Sequence, residues 1–318
     1  MPKPIAVSSV GRALALALGW PVVRVLDWCG CWPAALTRLM NRTLSRFGPY
    51  RPGAHDVLVC SYFKSGTNWT MQIAVQIAHR GAAQFEHIHD LVAWPEARAA
   101  LGRRFAVPIE DETPWRSAPS GLRIIKTHLH AAQVPYSPEA RYICVVRDPK
   151  DVFVSSYHFM RDGILGVLMP PKEKWLRTYL SRDAISGSWA EHLVGWWQMR
   201  QRPNVLFLTY EEMKRDLPGS VRRMAALMGV TLSEAEFASV LRQASFEHMQ
   251  SIAHRFDLGS RHPTHRGGRH MIRRGQAGGS AELLTASEQQ GIDQHFRAEL
   301  TRLACDFPYT EAFAAPVV

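Results

Sequence analysis

The sequence predicts an α/β fold: a single three-layer domain whose central parallel sheet is flanked by helices and carries a P-loop-like phosphate loop. Three observations lead there. Apolar runs rich in β-formers, as strands covered on both faces require, recur at residues 57–59, 142–146 and 205–208, with a shorter strand pattern, broken by Arg123, at 122–125. Helix-period stretches alternate with them at 69–77, 189–200 and 220–228. Neither a fixed-period repeat nor a shift in composition divides the chain, so 318 residues of 46% apolar composition read as one large body.

The first segment, residues 1–45, is apolar at Leu14, Leu16, Leu18, Trp20, Val22 and Val23, but Arg12, Arg24 and Asp27 interrupt it. No uncharged run reaches the roughly 20 residues needed to span a bilayer. The expectation is a helical extension ahead of a domain at 46–318, either packed on that domain or lying as an amphipathic segment against a membrane. The expected location is cytoplasmic, with residues 1–45 the candidate for peripheral membrane contact. Five cysteines, an odd number, favour a reducing compartment, and Cys60 and Cys144 sit in strand-like runs as small hydrophobes. Cys29 and Cys31 lack a second pair at zinc-site spacing, so no metal is assigned.

The second segment carries the most specific signal. After the run at 57–59 come Lys64, Ser65, Gly66 and Thr67, then Trp69, Ile73 and Ile77 at intervals of four, offset from Gln72, Gln76 and Arg80. That is a strand, a small cationic loop and an amphipathic helix with one buried stripe. Backbone N–H groups at such a helix start, together with the dipole and a lysine, favour an anion. The lysine precedes the glycine, the reverse of a Walker A loop. Taken alone, the segment fits both a phosphate loop and an ordinary βα turn.

Residues 82–120 are irregular and aromatic, with Phe85, Trp94, Phe105 and Trp115. A short strand then ends in Lys126, Thr127 and His128, where open α/β sheets place ligands. The next strand, 142–146, leads to Arg147, with Asp148 and Pro149 as a helix N-cap and first position and Ser155 about two turns along. Residues 160–190, which include Trp175 and Tyr179, read as a poorly periodic insertion. From 255 to 274 the chain is basic and glycine-rich, consistent with a solvated loop, a nucleic-acid contact or a lid over an anionic cofactor. Arg273, Arg274 and Gly275 have the guanidinium groups and close-approach glycine of phosphate recognition. The formal charge of +10 favours an anionic partner without choosing among nucleotide, nucleic acid and membrane.

Four of these segments, 63–69, 126–129, 142–156 and 273–278, stand in the order and composition of the cytosolic-type, PAPS-dependent sulfotransferases, which the chain resembles over about residues 45–310. Weaker echoes lie at 188–197, 206–214 and 245–249. The resemblance implies 3′-phosphoadenosine 5′-phosphosulfate (PAPS) as sulfuryl donor and 3′-phosphoadenosine 5′-phosphate (PAP) as product, with no metal required. It implies that Lys64 contacts the bridging oxygen, that Ser65, Gly66, Thr67 and Asn68 donate to the phosphosulfate, and that Trp69 stacks on adenine. Tyr210, Ser245 and Phe246 would surround the nucleoside, and Arg147, Ser155, Arg273, Arg274 and Gly275 would hold the 3′-phosphate. His128 would be the general base and Lys126 would offset charge on the sulfuryl oxygens. Asn68 replaces a commoner threonine, His130 a proline, and Gly279-Ser280 the family's Asp-Trp.

These residue types suit the chemistry on independent grounds. A hydroxyl becomes a useful nucleophile when a base takes its proton, and histidine is the usual choice. Phe85, Trp94, His130 and Phe159 are expected to line the acceptor pocket, with an apolar or aromatic small molecule or lipid as partner and no nucleic acid. Phe105, Trp115, Tyr157 and Trp175 lie in the same candidate loops. Two other classes compete. A phosphotransferase would need acidic magnesium ligands, for which Asp148 is the nearby candidate. A non-enzymatic binder would hold nucleic acid or anionic lipid through 255–274 or the N-terminal segment.

Overall fold

The computed structural model of the protein describes residues 21, 33–43, 47–97, 106–257 and 271–313. Five parallel strands, β1 (Asp56–Ser61), β2 (Val92–Ala93), β3 (Arg123–Thr127), β4 (Arg141–Val146) and β5 (Val205–Thr209), form one sheet in the order β2-β3-β1-β4-β5. Four of them are the expected strands. The fifth, β2, spans two residues inside the stretch expected to be irregular, too short to leave a pattern.

Strand periodicity divides the core. Val57 and Val59 of β1 join Ile124, Ile143 and Leu208 under α2 (Thr67–Ala78), α7 (Leu217–Met228) and α8 (Glu234–Ala244). Leu58 and Cys60 face the other way, with Ile125, Tyr142, Cys144 and Trp196 of α5 (Trp189–Trp197). All six β1 residues are buried because both faces are covered. A third cluster joins α3 (Pro149–Phe159), α4 (Lys172–Tyr179), α5 and α10 (Ala286–Arg302) through Phe153, Trp175, Trp189 and Phe296. Two short helices, α6 (Tyr210–Arg215) and α9 (Phe246–Ser251), follow β5 and α8.

Two expectations change. Gln72 and Gln76, offset in sequence from the apolar stripe of α2, are both fully buried, because α8 covers that side. The Gln76 amide is satisfied at both ends, Nε2 donating to Gln243 Oε1 at 2.8 Å and Oε1 accepting from Ala83 N at 3.1 Å, whereas Gln72 donates through Nε2 to the Gln243 carbonyl at 3.2 Å and its Oε1 has no partner among the described residues. Residues 160–190 are not merely irregular. A π turn, Met160–Leu165, extends α3, and α4 buries Trp175 and Tyr179 one turn apart, which makes Trp175 core rather than pocket.

Of the N-terminal extension, α1 (Ala34–Thr43) is described. It docks on the domain through Arg38 to Asp183 at 2.6 Å and Asn41 Nδ2 to the Ala184 carbonyl at 2.9 Å. The expected membrane contact falls largely outside the described residues, as do Cys29, Cys31, Phe105 and residues 258–270 of the basic stretch. Among the described residues no helix is long and apolar enough to cross a membrane. Cys60 and Cys144 are buried free thiols on neighbouring strands, packed as the small hydrophobes expected.

The topology places the site. The chain leaves β1 toward β3 and β2 on one side, then crosses to β4 and β5 on the other, so the direction reverses at β1. Crevices of open α/β sheets form outside the strand C-termini at such a point. Pairing of Val59 with Lys126 and of Ser61 with Val145 brings the loop after β1, the end of β3 and the end of β4 to one edge.

Candidate active site

The loop after β1 is shaped by two left-handed residues, Lys64 (φ 68°) and Gly66 (φ 93°). A Cβ on Gly66 would stand 2.7 Å from Tyr210 Cδ2, so only glycine fits against that ring. Lys64 adopts the same region without that freedom, a strain of about 1–3 kcal/mol of the kind found at functional sites. Ser61 Oγ and Thr67 Oγ1, 2.7 Å apart, close the base of the loop. The N-terminus of α2 has no side-chain cap, so its first N–H groups are offered to the cleft. Ser65 Oγ lies buried beneath the loop without a partner among the described residues.

One cleft runs from this loop across the ends of β3 and β4 to residues 271–282. It is lined by Lys64, Gly66, Thr67, Asn68, Trp69, Trp94, Lys126, His128, Arg147, Ser155, Phe159, Tyr210, Ser245, Phe246, Arg273, Arg274 and Gly275. Thus the structure brings together every residue assigned to donor or acceptor except Ser65, Phe85 and His130; of the further loop aromatics, Trp115 stacks on His55 and Tyr157 packs with Trp175 in the core. Phe85 packs edge-on against Phe256 in the core, with centroids 6.0 Å apart. His130 turns to the Ser186 carbonyl at 3.0 Å, where the missing Cβ of Gly187 makes room for its ring. Asp148 caps α3 and pairs with Lys150 at 3.1 Å, as a helix start rather than a cleft carboxylate.

At one end of the cleft, Trp69 and Tyr210 meet edge to face at 5.4 Å, and Gly275 lies against Phe246 without room for a side chain. Arg147 stacks over Tyr210 at 4.4 Å, donates to the Gln276 carbonyl at 2.8 Å and pairs with Asp151 at 3.2 Å. Its Nε is buried and unpartnered among the described residues. Arg273 and Arg274 converge on the carboxylate of Glu282, Arg273 at 2.6 Å, and His158 Nε2 reaches the same group at 2.9 Å. Three guanidinium groups therefore gather where the chain itself supplies the counter-ion.

At the other end stand His128, Lys126 and Lys64. His128 Nδ1 donates to the Ser61 carbonyl at 2.8 Å, which leaves the lone pair on Nε2. Burial, and secondly the charge of Lys126, lower its pKa to about 3, so the imidazole is neutral. Burial also lowers Lys64 and Lys126 to about 7, with neighbouring cations adding to it at Lys64 and Glu96 opposing it at Lys126. Lys126 Nζ lies 3.5 Å from the Trp94 ring centre and Lys64 Nζ 4.3 Å from that of Phe159. Two desolvated cations beside a neutral histidine form a site that an anion would complete.

Sequence reasoning missed Glu96 and Glu282. Both are single acids in stretches without periodicity, and their partners are remote or irregularly spaced, so neither leaves a local signal.

Comparison with known proteins agrees with this geometry. A family profile described as "Sulfotransferase domain" matches residues 54–304. Human (Homo sapiens) sulfotransferase 1C2 is 27% identical over 268 residues, covering 79% of this chain and 85% of its own. Rabbit (Oryctolagus cuniculus) amine sulfotransferase is 30% identical over 297 residues, covering 89% of this chain and 92% of its own. Among solved structures, mouse sulfotransferase SULT7A1 complexed with PAP superposes with a TM-score of 0.59 at 25% identity, over 79% of this chain and 85% of that one. With the loop, the strand-end histidine and the arginine cluster set at one edge of the matching fold, the chain belongs to the sulfotransferase family.

Proposed function

We propose that this sulfotransferase moves the sulfuryl group of PAPS to a hydroxyl or amine of an apolar or aromatic small molecule, with His128 as general base. The observation that carries the reading is the free Nε2 of a neutral, buried His128 flanked by Lys64 and Lys126 in one cleft with the guanidinium cluster. The residues fit the donor. Arg147 Nε is buried at the cleft and Ser65 Oγ beneath its loop, both without a partner among the described residues, and Gly66 and Gly275 let Tyr210 and Phe246 close against the cleft.

PAPS supplies a sulfuryl group activated as a mixed anhydride with phosphate. The uncapped start of α2, with Ser65 and Thr67, would hold the 5′ end, Arg147, Ser155, Arg273 and Arg274 would hold the 3′-phosphate, and Trp69 would stack on the base with Tyr210, Ser245 and Phe246 around the nucleoside. His128 Nε2 takes the acceptor proton as the acceptor's oxygen or nitrogen bonds to sulfur. Lys126 offsets charge on the sulfuryl oxygens, and Lys64 offsets the charge that arrives on the departing phosphate oxygen as its bond to sulfur breaks. Donor charge near Lys64 and Lys126 raises the basicity of His128 from its depressed value. Trp94, Phe63 and Phe159 around His128 favour an apolar acceptor.

Calorimetry with PAP tests the cofactor, and absence of binding at millimolar PAP would overturn the reading. His128→Ala should retain PAP and lose turnover; an unchanged rate removes His128 from the mechanism. A screen of phenols, hydroxysteroids, aliphatic alcohols and amines with PAPS then identifies the acceptor.

A further inference from the structure

One carboxylate organises the end of β3. Glu96, three residues after β2, is 1% exposed, and its oxygens collect four donors. Oε1 accepts from Thr127 Oγ1, from His128 N at 2.8 Å and from Leu129 N at 3.2 Å, and Oε2 accepts from Trp94 Nε1 at 2.5 Å. The first three partners bracket His128. The fourth is the indole whose face lies 3.5 Å from Lys126 Nζ and whose plane stands at 90° to the His128 ring. A single side chain thus touches the backbone that aims the base and the ring that backs both reacting groups.

We propose that Glu96 is a positioning residue of the transfer reaction: it fixes the backbone at His128 and, directly and through Trp94, supplies the counter-charge that holds the Lys126 ammonium at the cleft. The proposal rests on the reading that His128 and Lys126 carry the transfer.

Chemistry explains why this position holds a carboxylate. Burial raises the pKa of the Glu96 carboxyl, and its donors and Lys126 oppose that rise and favour the carboxylate. Glutamine offers one acceptor oxygen; its amide would turn two N–H donors toward either the indole N–H or the strand-end N–H groups, leaving donor against donor. An indole whose N–H is bound to an anion presents a more negative face to the ammonium above it. Around Lys126 stand Lys64 from the loop after β1, His128 from its own strand end and His89 from the turn before β2, all of which disfavour its charge or are disfavoured by it. Among the described residues, Glu96 is the acid that opposes them.

The test is the titration of Lys126 in protein labelled with ¹³C at the lysine ε-carbons, the signal being assigned by its loss in K126R. In E96Q the titration midpoint should fall by about one pH unit, and kcat with the best acceptor of the screen should fall at least about tenfold while PAP affinity holds within about twofold. E96D keeps the charge but shortens its reach, so Lys126 should titrate near the wild-type midpoint while kcat still drops. An unshifted midpoint in E96Q, or an equal shift in E96D, overturns the proposal. Should E96Q fail to fold, E96D decides through its rate: a kcat equal to that of the wild type overturns the proposal. Absence of PAP binding by the wild-type protein would instead overturn the functional reading underneath, so the two failures are distinguishable.

Discussion

Replacing Glu282 with glutamine should tighten PAP binding. In the structure the Glu282 carboxylate pairs with Arg273 at 2.6 Å and also with Arg274, two of the groups assigned to the 3′-phosphate. A phosphate that takes both arginines must displace this carboxylate or sit beside it, and either costs free energy. The arginine side chains are 35% and 55% exposed, so solvent screening keeps each pair within the usual range of about 0.2–1 kcal/mol. The contact with His158 adds little ionic attraction at neutral pH, because burial lowers the imidazole's pKa and leaves it uncharged. Together the two pairs amount to about 1 kcal/mol, or about fivefold in Kd. Calorimetric titration with PAP, wild type against E282Q at low salt, measures this. Adenosine 5′-monophosphate, which lacks the 3′-phosphate, serves as control and should bind both proteins alike. Unchanged or weaker PAP affinity in E282Q, or equal tightening with the control nucleotide, would refute the reasoning.

Ser65→Ala removes a buried hydroxyl that has no partner in the protein alone, so it should raise stability by about 1 kcal/mol in urea titration while weakening PAP binding about tenfold; loss of stability would show that the hydroxyl is structural. Because Lys64 and Lys126 have pKa values lowered to about 7, kcat/KM should fall as pH rises above about 7, while the corresponding limb of kcat lies higher, since the bound donor anion favours both ammonium groups. Rates measured from pH 6 to 9 that stay flat would contradict it. The His128 pKa is about 3 in the folded protein against 6.5 for the ordinary group, so below pH 6.5 the unfolded chain takes up a proton that the native state refuses. Stability should therefore decline by about 2 kcal/mol between pH 6.5 and 5 through this group, and H128N should lose correspondingly less in urea midpoints at the two pH values.

The fold was legible wherever local pattern and burial agree. β1 and β4 are almost wholly buried and reveal themselves by hydrophobic continuity, β3 and β5 by shorter runs of β-formers, and Asp148-Pro149 announces α3 by its own cap chemistry. The residues that line the cleft were legible where their type is chemically restricted, as at Lys64, Gly66, His128 and the arginine pair. What stayed hidden depends on tertiary contact. Gln72 and Gln76 look like a solvent face because nothing in α2 reveals that α8 will cover them. Phe85 and Trp175 have the composition of pocket residues, but a pocket aromatic and a core aromatic differ only in what packs on them. Glu96 acts through partners up to 33 residues away and Glu282 through His158, 124 residues before it in the chain (282 − 158), and neither carries a sequence signature.

The hidden and legible parts meet in the electrostatics of the cleft. Parallel pairing at the reversal point forces Lys64 and the β3 end together, whichever side chains they bear, and burying two lysines there is unfavourable in the protein alone. The chain offsets this unevenly. At the arginine end, Asp151 and Glu282 stand in as counter-ions where a 3′-phosphate would lie, so those cations are paired before any nucleotide arrives. At the reacting end Lys126 has only the opposition of Glu96, and burial prevails at both lysines. The anion that completes the site therefore gains most in free energy where charge moves during transfer and least where the nucleotide is merely held. Such a distribution places binding energy at the bonds being made and broken, as catalysis requires.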